Sequence, residues 1–129
     1  LKENSHNGFI DFLWEKQEAV SYIEKLRIKT PSDLAVTKNL SGGNQQKVVI
    51  AKWLLAKSKI LIMDEPTRGI DVNAKAEIYE LMKNFVEGGG SIILVSSELP
   101  EVLGCSNRIM VMREGYVTGF LDQFRLTRW

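Results

Sequence analysis

Leu40-Ser41-Gly42-Gly43-Asn44-Gln45-Gln46-Lys47, followed one helix later by Ile60-Leu61-Ile62-Met63-Asp64-Glu65-Pro66, decides how the rest of this chain is read. A hydroxyl and two glycines bring backbone N–H groups to a helix start, where unpaired donors and the macrodipole favour phosphate. Residues 44 to 57 are helix formers with Val48, Ala51, Leu54 and Leu55 on one apolar face, so the spacing predicts a helix that begins at the glycines. The polar side chains of Asn44, Gln45, Gln46 and Lys47 on its first turn find no structural purpose in the sequence, whereas a phosphate or its bridging waters would supply one. After the apolar run, two adjacent carboxylates repel each other unless a cation lies near. Together they suit a metal-bound phosphoryl transfer, one serving the shell of a Mg²⁺ ion and the other orienting an attacking water.

Taken separately, each string has a plainer reading. Ser-Gly-Gly can be a flexible turn, and Asp-Glu-Pro can end a strand because proline blocks its continuation. The full octet and the apolar strand that follows it together favour the chemical reading.

Working outward, Ala19, Ile23 and Leu26 recur at i, i+4 and i+7 among charged neighbours, which predicts an amphipathic helix over about 15–28, ended by Thr30-Pro31-Ser32-Asp33. Ile60 to Met63 and Ser91 to Ser96 have the continuous apolar pattern of strands buried on both faces of a parallel sheet. Between them, Val72, Ala76, Tyr79, the Lys83 stem and Val86 follow helical spacing, with Asp71 as a cap and Gly88-Gly89-Gly90 as a stop. Such a β-α-β unit places ligands at the carboxyl ends of its strands, where Asp64, Glu65, Ser96 and Ser97 fall. Beyond it the sequence predicts a short helix at 98–104, a strand at 108–112, a turn at Glu114-Gly115 and a strand at 117–121.

With 129 residues, 44% hydrophobic and 26% charged, the chain can bury a modest single-domain core. Seventeen basic residues against sixteen acidic ones, scattered along the sequence, give a net charge of +1, which argues against a nucleic-acid partner. The single cysteine, Cys105, cannot form an internal disulfide and fits a reducing compartment. No stretch reaches the roughly 18 to 20 apolar residues of a membrane-spanning helix, so any membrane association is expected to come through a partner.

These strings resemble the ATP-binding subunits of ABC transporters from about Gln17 to Leu121. Leu40-Ser41-Gly42-Gly43-Asn44-Gln45 is similar to the family signature, Ile60 to Glu65 to the Walker B strand, and Arg68-Gly69-Ile70-Asp71 to the D-loop. Asp64 to Asp71, with Ser96-Ser97-Glu98-Leu99-Pro100-Glu101-Val102-Leu103 after it, resembles the C-terminal nucleotide-binding domain of monosaccharide importer ATPases of the ribose, galactose and xylose type. The resemblance implies an α/β P-loop NTPase, RecA-like half-core with a parallel sheet at 58–129, preceded by a helical signature subdomain at 1–57.

It further implies ATP and Mg²⁺ as cofactors, with Asp64 holding Mg²⁺ through water and Glu65 polarising the attacking water. Ser41, Gly42, Gly43, Asn44 and Gln45 would complete the ATP site of a second nucleotide-binding domain, fused or in trans, and Asp71 would communicate with that domain. Membrane permease subunits would be direct partners, a periplasmic or extracellular sugar-binding protein an indirect one, and the cytoplasmic face of the membrane the location. A soluble ABC ATPase acting on ribosomes or DNA is the competing expectation, and a non-catalytic binding module is the expectation for the chain in isolation.

Three departures qualify the resemblance, one being that the tail, residues 123–129, shows no clear period and matches no family pattern. The chain has no Gly-Lys pair and hence no phosphate-binding loop, which the family carries upstream; together with the opening at Leu1, this is read as a piece of a longer protein. Where most members place a histidine to contact the γ-phosphate, this sequence has Ser97, and its only histidine is His6. Ser97, still counted among the catalytic candidates, carries no charge, so the site containing Glu65 is expected to turn over more slowly than its partner site.

Overall fold

The computed structural model describes residues 5–6 and 9–122. In chain order the elements are β1 (Ser5–His6), β2 (Phe9–Ile10), α1 (Phe12–Lys25), a 3₁₀ turn (Thr37–Asn39), α2 (Gly42–Leu55), β3 (Ile60–Asp64), α3 (Val72–Glu87), β4 (Ser91–Val95), α4 (Leu99–Cys105), β5 (Arg108–Arg113) and β6 (Tyr116–Asp122). Contacts divide them into two compact units, one of Thr67–Ile92 with the described residues up to Leu61, the other of Ile62–Pro66 with the described residues from Ile93. The expected tail reading over 123–129 lies outside the described residues.

In the first unit, α1 starts three residues before the predicted boundary because Asp11 caps it, its carboxylate accepting from the N–H groups of Leu13 and Trp14. The helix also ends earlier than Thr30-Pro31 would require. Arg27 turns left-handed at φ 50°. Its N–H donates to Glu24 and that of Ile28 to Ile23, the paired bonds of a Schellman stop. A left-handed arginine costs about 1 kcal/mol relative to glycine, and no glycine in the sequence marked this boundary. Ala19, Ile23 and Ile28 then face Leu40, Val48 and Ala51 around an apolar hollow of about 180 Å³.

The helix expected from residue 44 begins at Gly42, right at the glycines, but its deepest face is not the predicted one. Gly43, Lys47 and Ile50 are buried, whereas Leu55 and Trp53 are exposed and Val48, Ala51 and Leu54 are half-buried. A lysine therefore occupies the centre of the buried stripe, where a hydrophobic pattern cannot find it.

Likewise α3 turns inward Ile78, fully buried, and Met82, rather than the predicted Val72 and Val86, which are exposed. Burying an isoleucine fully contributes about 1.5 to 3 kcal/mol. Its start and stop follow the sequence reading. Asp71 caps it, and Gly89 supplies the left-handed residue at φ 92° while Gly90 lies against the Phe85 ring, where a Cβ would sit 2.3 Å from Cε1.

β3 and β4 pair with each other on either side of α3 in sequence, as the β-α-β reading expects. Ser91 N–H donates to Lys59 at one end and Glu65 N–H to Val95 at the other, so numbers rise together along both strands and the pair is parallel. Burial on both faces is not found. Leu61 and Met63 are buried, but Ile60, Ile62, Ile93 and Val95 are exposed, so in this chain each strand covers one face only.

Further along the second unit, β5 and β6 form an antiparallel hairpin, in register from Arg108↔Asp122 to Arg113↔Tyr116 with an irregularity between Val111 and Met112. Arg108 closes its open end, 3.3 Å from Asp122 and stacked over Phe120. Glu114 and Gly115, both with positive φ, make the predicted turn.

Candidate functional site

Six of the nine expected site residues lie in the first unit, around the starts of α2 and α3. Asp11 and Asp71 each accept their own helix's first-turn amides, Asp71 Oδ1 from Ala74 N–H at 3.0 Å. Ser41, at the same position before α2, makes no such bond. Its hydroxyl instead accepts from Asn44 Nδ2 at 2.8 Å. The first-turn amides of α2 are thus left for a ligand or water, and no carboxylate of its own neutralises that end of the helix.

The two glycines have different physical roles. A Cβ on Gly43 would lie 2.6 Å from the Ala74 Cβ and 3.5 Å from Ile70, so glycine is required there for α2 to approach α3. A Cβ on Gly42 would meet only the Gly69 carbonyl, at 4.0 Å, and Gly42 is exposed. Packing thus explains Gly43 but not Gly42.

Asn44, Gln45 and Lys47 after the glycines do have structural partners, contrary to the sequence reading. Asn44 Oδ1 accepts the Lys29 N–H at 2.8 Å, and Gln45 Nε2 donates to the Leu40 carbonyl at 2.8 Å and to that of Lys38 at 3.4 Å. Lys47 donates from Nζ to the Arg27 carbonyl at 3.0 Å and pairs with Glu77 at 2.6 Å. Hydrogen bonding from Lys47, assisted by the charges of Lys29 and Arg27, holds the Glu77 carboxyl below the usual carboxylate range against the opposing effect of burial. Ser41, Gly43, Asn44 and Asp71 share a polar cavity of about 180 Å³ with Lys29, Asn73, Ala74 and Glu77. Sequence reasoning missed Lys29, Lys47 and Glu77 as a group, because their partners lie fifteen to thirty residues apart.

The other three expected residues lie in the second unit. Asp64 ends β3 with an exposed side chain, and Glu65 follows in the left-handed region at φ 46°. Holding a glutamate there costs of the order of 1 kcal/mol, a strain characteristic of functional turns. Its Oε1 accepts the backbone N–H of Ser97 at 2.8 Å, which ties the end of β3 to the loop after β4. Among the described residues no three His, Cys, Asp or Glu side chains converge as a metal cage. A single carboxylate at Asp64, with water and phosphate filling the other positions, nevertheless suits Mg²⁺, which prefers to keep part of its hydration shell.

The ABC transporter family profile matches residues 1–68, more than half of the chain. The chain belongs to the ABC transporter family. It is 57% identical over 109 residues to the ribose import ATP-binding protein of Clostridium perfringens, covering 84% of this chain and 22% of that protein. To the arabinose import ATP-binding protein of Vibrio parahaemolyticus it is 53% identical over 116 residues, covering 90% of this chain and 23% of that protein. The chain thus spans less than a quarter of the length of these relatives.

Solved ABC cassettes share its fold. A dimeric ATP-binding cassette in a post-hydrolysis state with ADP and Pi matches with a TM-score of 0.75 at 23% identity, over 91% of this chain and 50% of that one. A Clostridium perfringens cassette, part of an ABC transporter complex, matches with 0.71 at 28% identity, over 90% and 46%. The architecture is that of the P-loop NTPase ABC cassette, α/β with parallel strand pairing, as the sequence implied. Among the described residues no helix is long and apolar enough to cross a membrane.

Proposed function

We propose that this chain is part of the ATP-hydrolysing module of an ABC importer for monosaccharides, a translocase ATPase acting at the cytoplasmic face of the membrane. The observation that carries this reading is the Glu65 carboxylate, set at the carboxyl end of β3 and oriented by the Ser97 N–H. Identity above 50% to ribose and arabinose import ATP-binding proteins supports a sugar as cargo.

In this reading residues 1–57 form the helical signature part and 58–129 the Walker B, D-loop and switch part. Asp64 holds Mg²⁺ through water, and Glu65, positioned by Ser97, accepts a hydrogen bond from the water that attacks. Mg²⁺ bound to ATP supplies neutralisation of the phosphate charge. Ser41 and the amides of Gly42 and Gly43 face the γ-phosphate of an ATP carried by a second nucleotide-binding domain; Asn44 and Gln45 shape that surface, and Asp71 relays its state. Permease subunits receive the resulting motion, and an external sugar-binding protein delivers cargo to them.

The test uses the complete polypeptide containing this chain, reconstituted with its permease in vesicles and supplied with labelled pentoses and hexoses. Uptake of one of these sugars that requires internal ATP, and that Ser41→Arg abolishes together with ATP turnover, is the expected result. Turnover without uptake of any of them would overturn the sugar-import reading.

A further inference from the structure

We infer that Lys47 is a positioning residue that fixes the register of the signature end of α2 against the start of α3. Its side chain is 2% exposed, yet it carries an ammonium group. A methionine could fill similar volume without the cost of desolvating a charge, so the lysine is explained by the links it makes rather than by the space it fills.

Those links join three segments of the first unit. Nζ donates to the Arg27 carbonyl at 3.0 Å, at the left-handed stop of α1, and reaches Glu77 on α3 at 2.6 Å. Four residues before Lys47, Gly43 meets Ala74, which stands three residues before Glu77. Residues three and four apart share a helix face, so α2 touches α3 at two points roughly one turn, or ~5.4 Å, apart. One is steric and the other ionic. The steric contact alone would act as a pivot, whereas the second removes rotation and sliding.

Two of these segments are joined again nearer the start of α2. Lys29 N–H donates to Asn44 Oδ1, and Asn44 Nδ2 donates to the Ser41 hydroxyl, both at 2.8 Å. The stretch after α1 thus orients the Ser41 hydroxyl through Asn44 and anchors the helix body through Lys47. Ser41 and Asp71, at the two helix starts, are thereby held as one piece. The consequence for catalysis rests on the functional reading above, in which both residues act on the opposing domain.

Two measurements on the complete polypeptide test this. Hydrogen exchange is followed without nucleotide at the first hydrogen-bonded amides of the two helices, 45–48 and 75–78, and ATPase kinetics give kcat and KM separately. Lys47→Met is expected to speed exchange at both starts about tenfold and lower kcat about tenfold, while KM for ATP stays within about twofold, because small misplacements of positioned groups act mainly on the reacting geometry. If Lys47→Met does not fold, Glu77→Gln, a change at a half-exposed side chain, carries the same expectations in the same direction. A folded variant with unchanged exchange and kcat, or with only one of the two altered, overturns the inference. If the wild-type polypeptide hydrolyses no ATP, the functional reading fails, and exchange alone decides whether Lys47 locks the register: faster exchange upholds it, unchanged exchange overturns it.

Discussion

Glu65 and Ser97 are joined through the Ser97 backbone N–H, 2.8 Å from the glutamate Oε1, and not through the serine hydroxyl. The position that lacks the charged side chain common in the family therefore still orients the carboxylate. Ser97→Ala keeps this N–H and is expected to lower the Glu65-dependent part of the complete polypeptide's ATP turnover by less than about threefold, whereas Ser97→Pro removes the donor and is expected to lower that part by more than about tenfold, the magnitude of losing one positioned hydrogen bond. Equal losses in the two variants would assign the role to the hydroxyl instead.

The uncharged serine also bears on how much work this site does. Glu65→Gln in the complete polypeptide is expected to leave more than about half of the ATPase rate if, as the uncharged Ser97 leads one to expect, the Glu65 site is the slower of two. Disappearance of ATPase and transport together would show that the Glu65 site is not the minor one.

The glycine pair separates stability from ligand approach. Gly43→Ala places a Cβ 2.6 Å from Ala74 and is expected to destabilise by about 1 to 3 kcal/mol, as overpacking does, read by urea or thermal unfolding. Gly42→Ala meets no such neighbour and lies on a helix, so its stability is expected to match or exceed the wild type by up to about 1 kcal/mol, with any loss of function confined to ATP-dependent domain association. Equal destabilisation by both would refute the steric assignment.

Acid should act on the Lys47–Glu77 pair in a defined direction. Because the folded carboxyl titrates below its unfolded value, the pair's contribution is fully present above the ordinary glutamate pKa, about 4.3, and is lost as pH falls from there through the folded value. The stability difference between wild type and Glu77→Gln is therefore expected to be flat from about pH 5.5 to 8 and to shrink below about pH 4.3. A difference that grows on acidification would contradict this linkage.

The 129-residue chain assayed by itself carries no Gly-Lys phosphate loop and is expected to release no phosphate above background. Steady release abolished by Glu65→Gln would show that the residues present suffice.

What the sequence made legible was local. Asp71 as a cap, Gly89 and Gly90 as a stop, and the two apolar runs flanking α3 each depend on residues within one turn or one strand of each other. What it concealed depended on distant partners. The buried stripe of α2 runs through Lys47, which Glu77 thirty residues later and the Arg27 carbonyl twenty residues earlier make tolerable, and α1 stops at Arg27, whose left-handed backbone no glycine marked. Ile60 and Ile62 looked interior by composition, yet whether an apolar side chain is covered depends on what packs above it. In the site, Asp64 and Glu65 fall at the end of β3 as the apolar run before them predicts, whereas the partners of Asn44 and Gln45 are backbone groups of Lys29, Lys38 and Leu40 that no residue pattern marks.

The contact between Gly43 and Ala74 has a genetic consequence. Every missense change at a glycine codon adds at least a Cβ, so position 43 has no conservative neighbour in mutational space, and a change at the first or second base of its codon should be harmful whichever residue results. The direct second-site suppressor of Gly43→Ala is Ala74→Gly, which removes the opposing Cβ at a helix-propensity cost of up to about 1 kcal/mol. Revertants selected for recovered stability should therefore carry that change on the other helix.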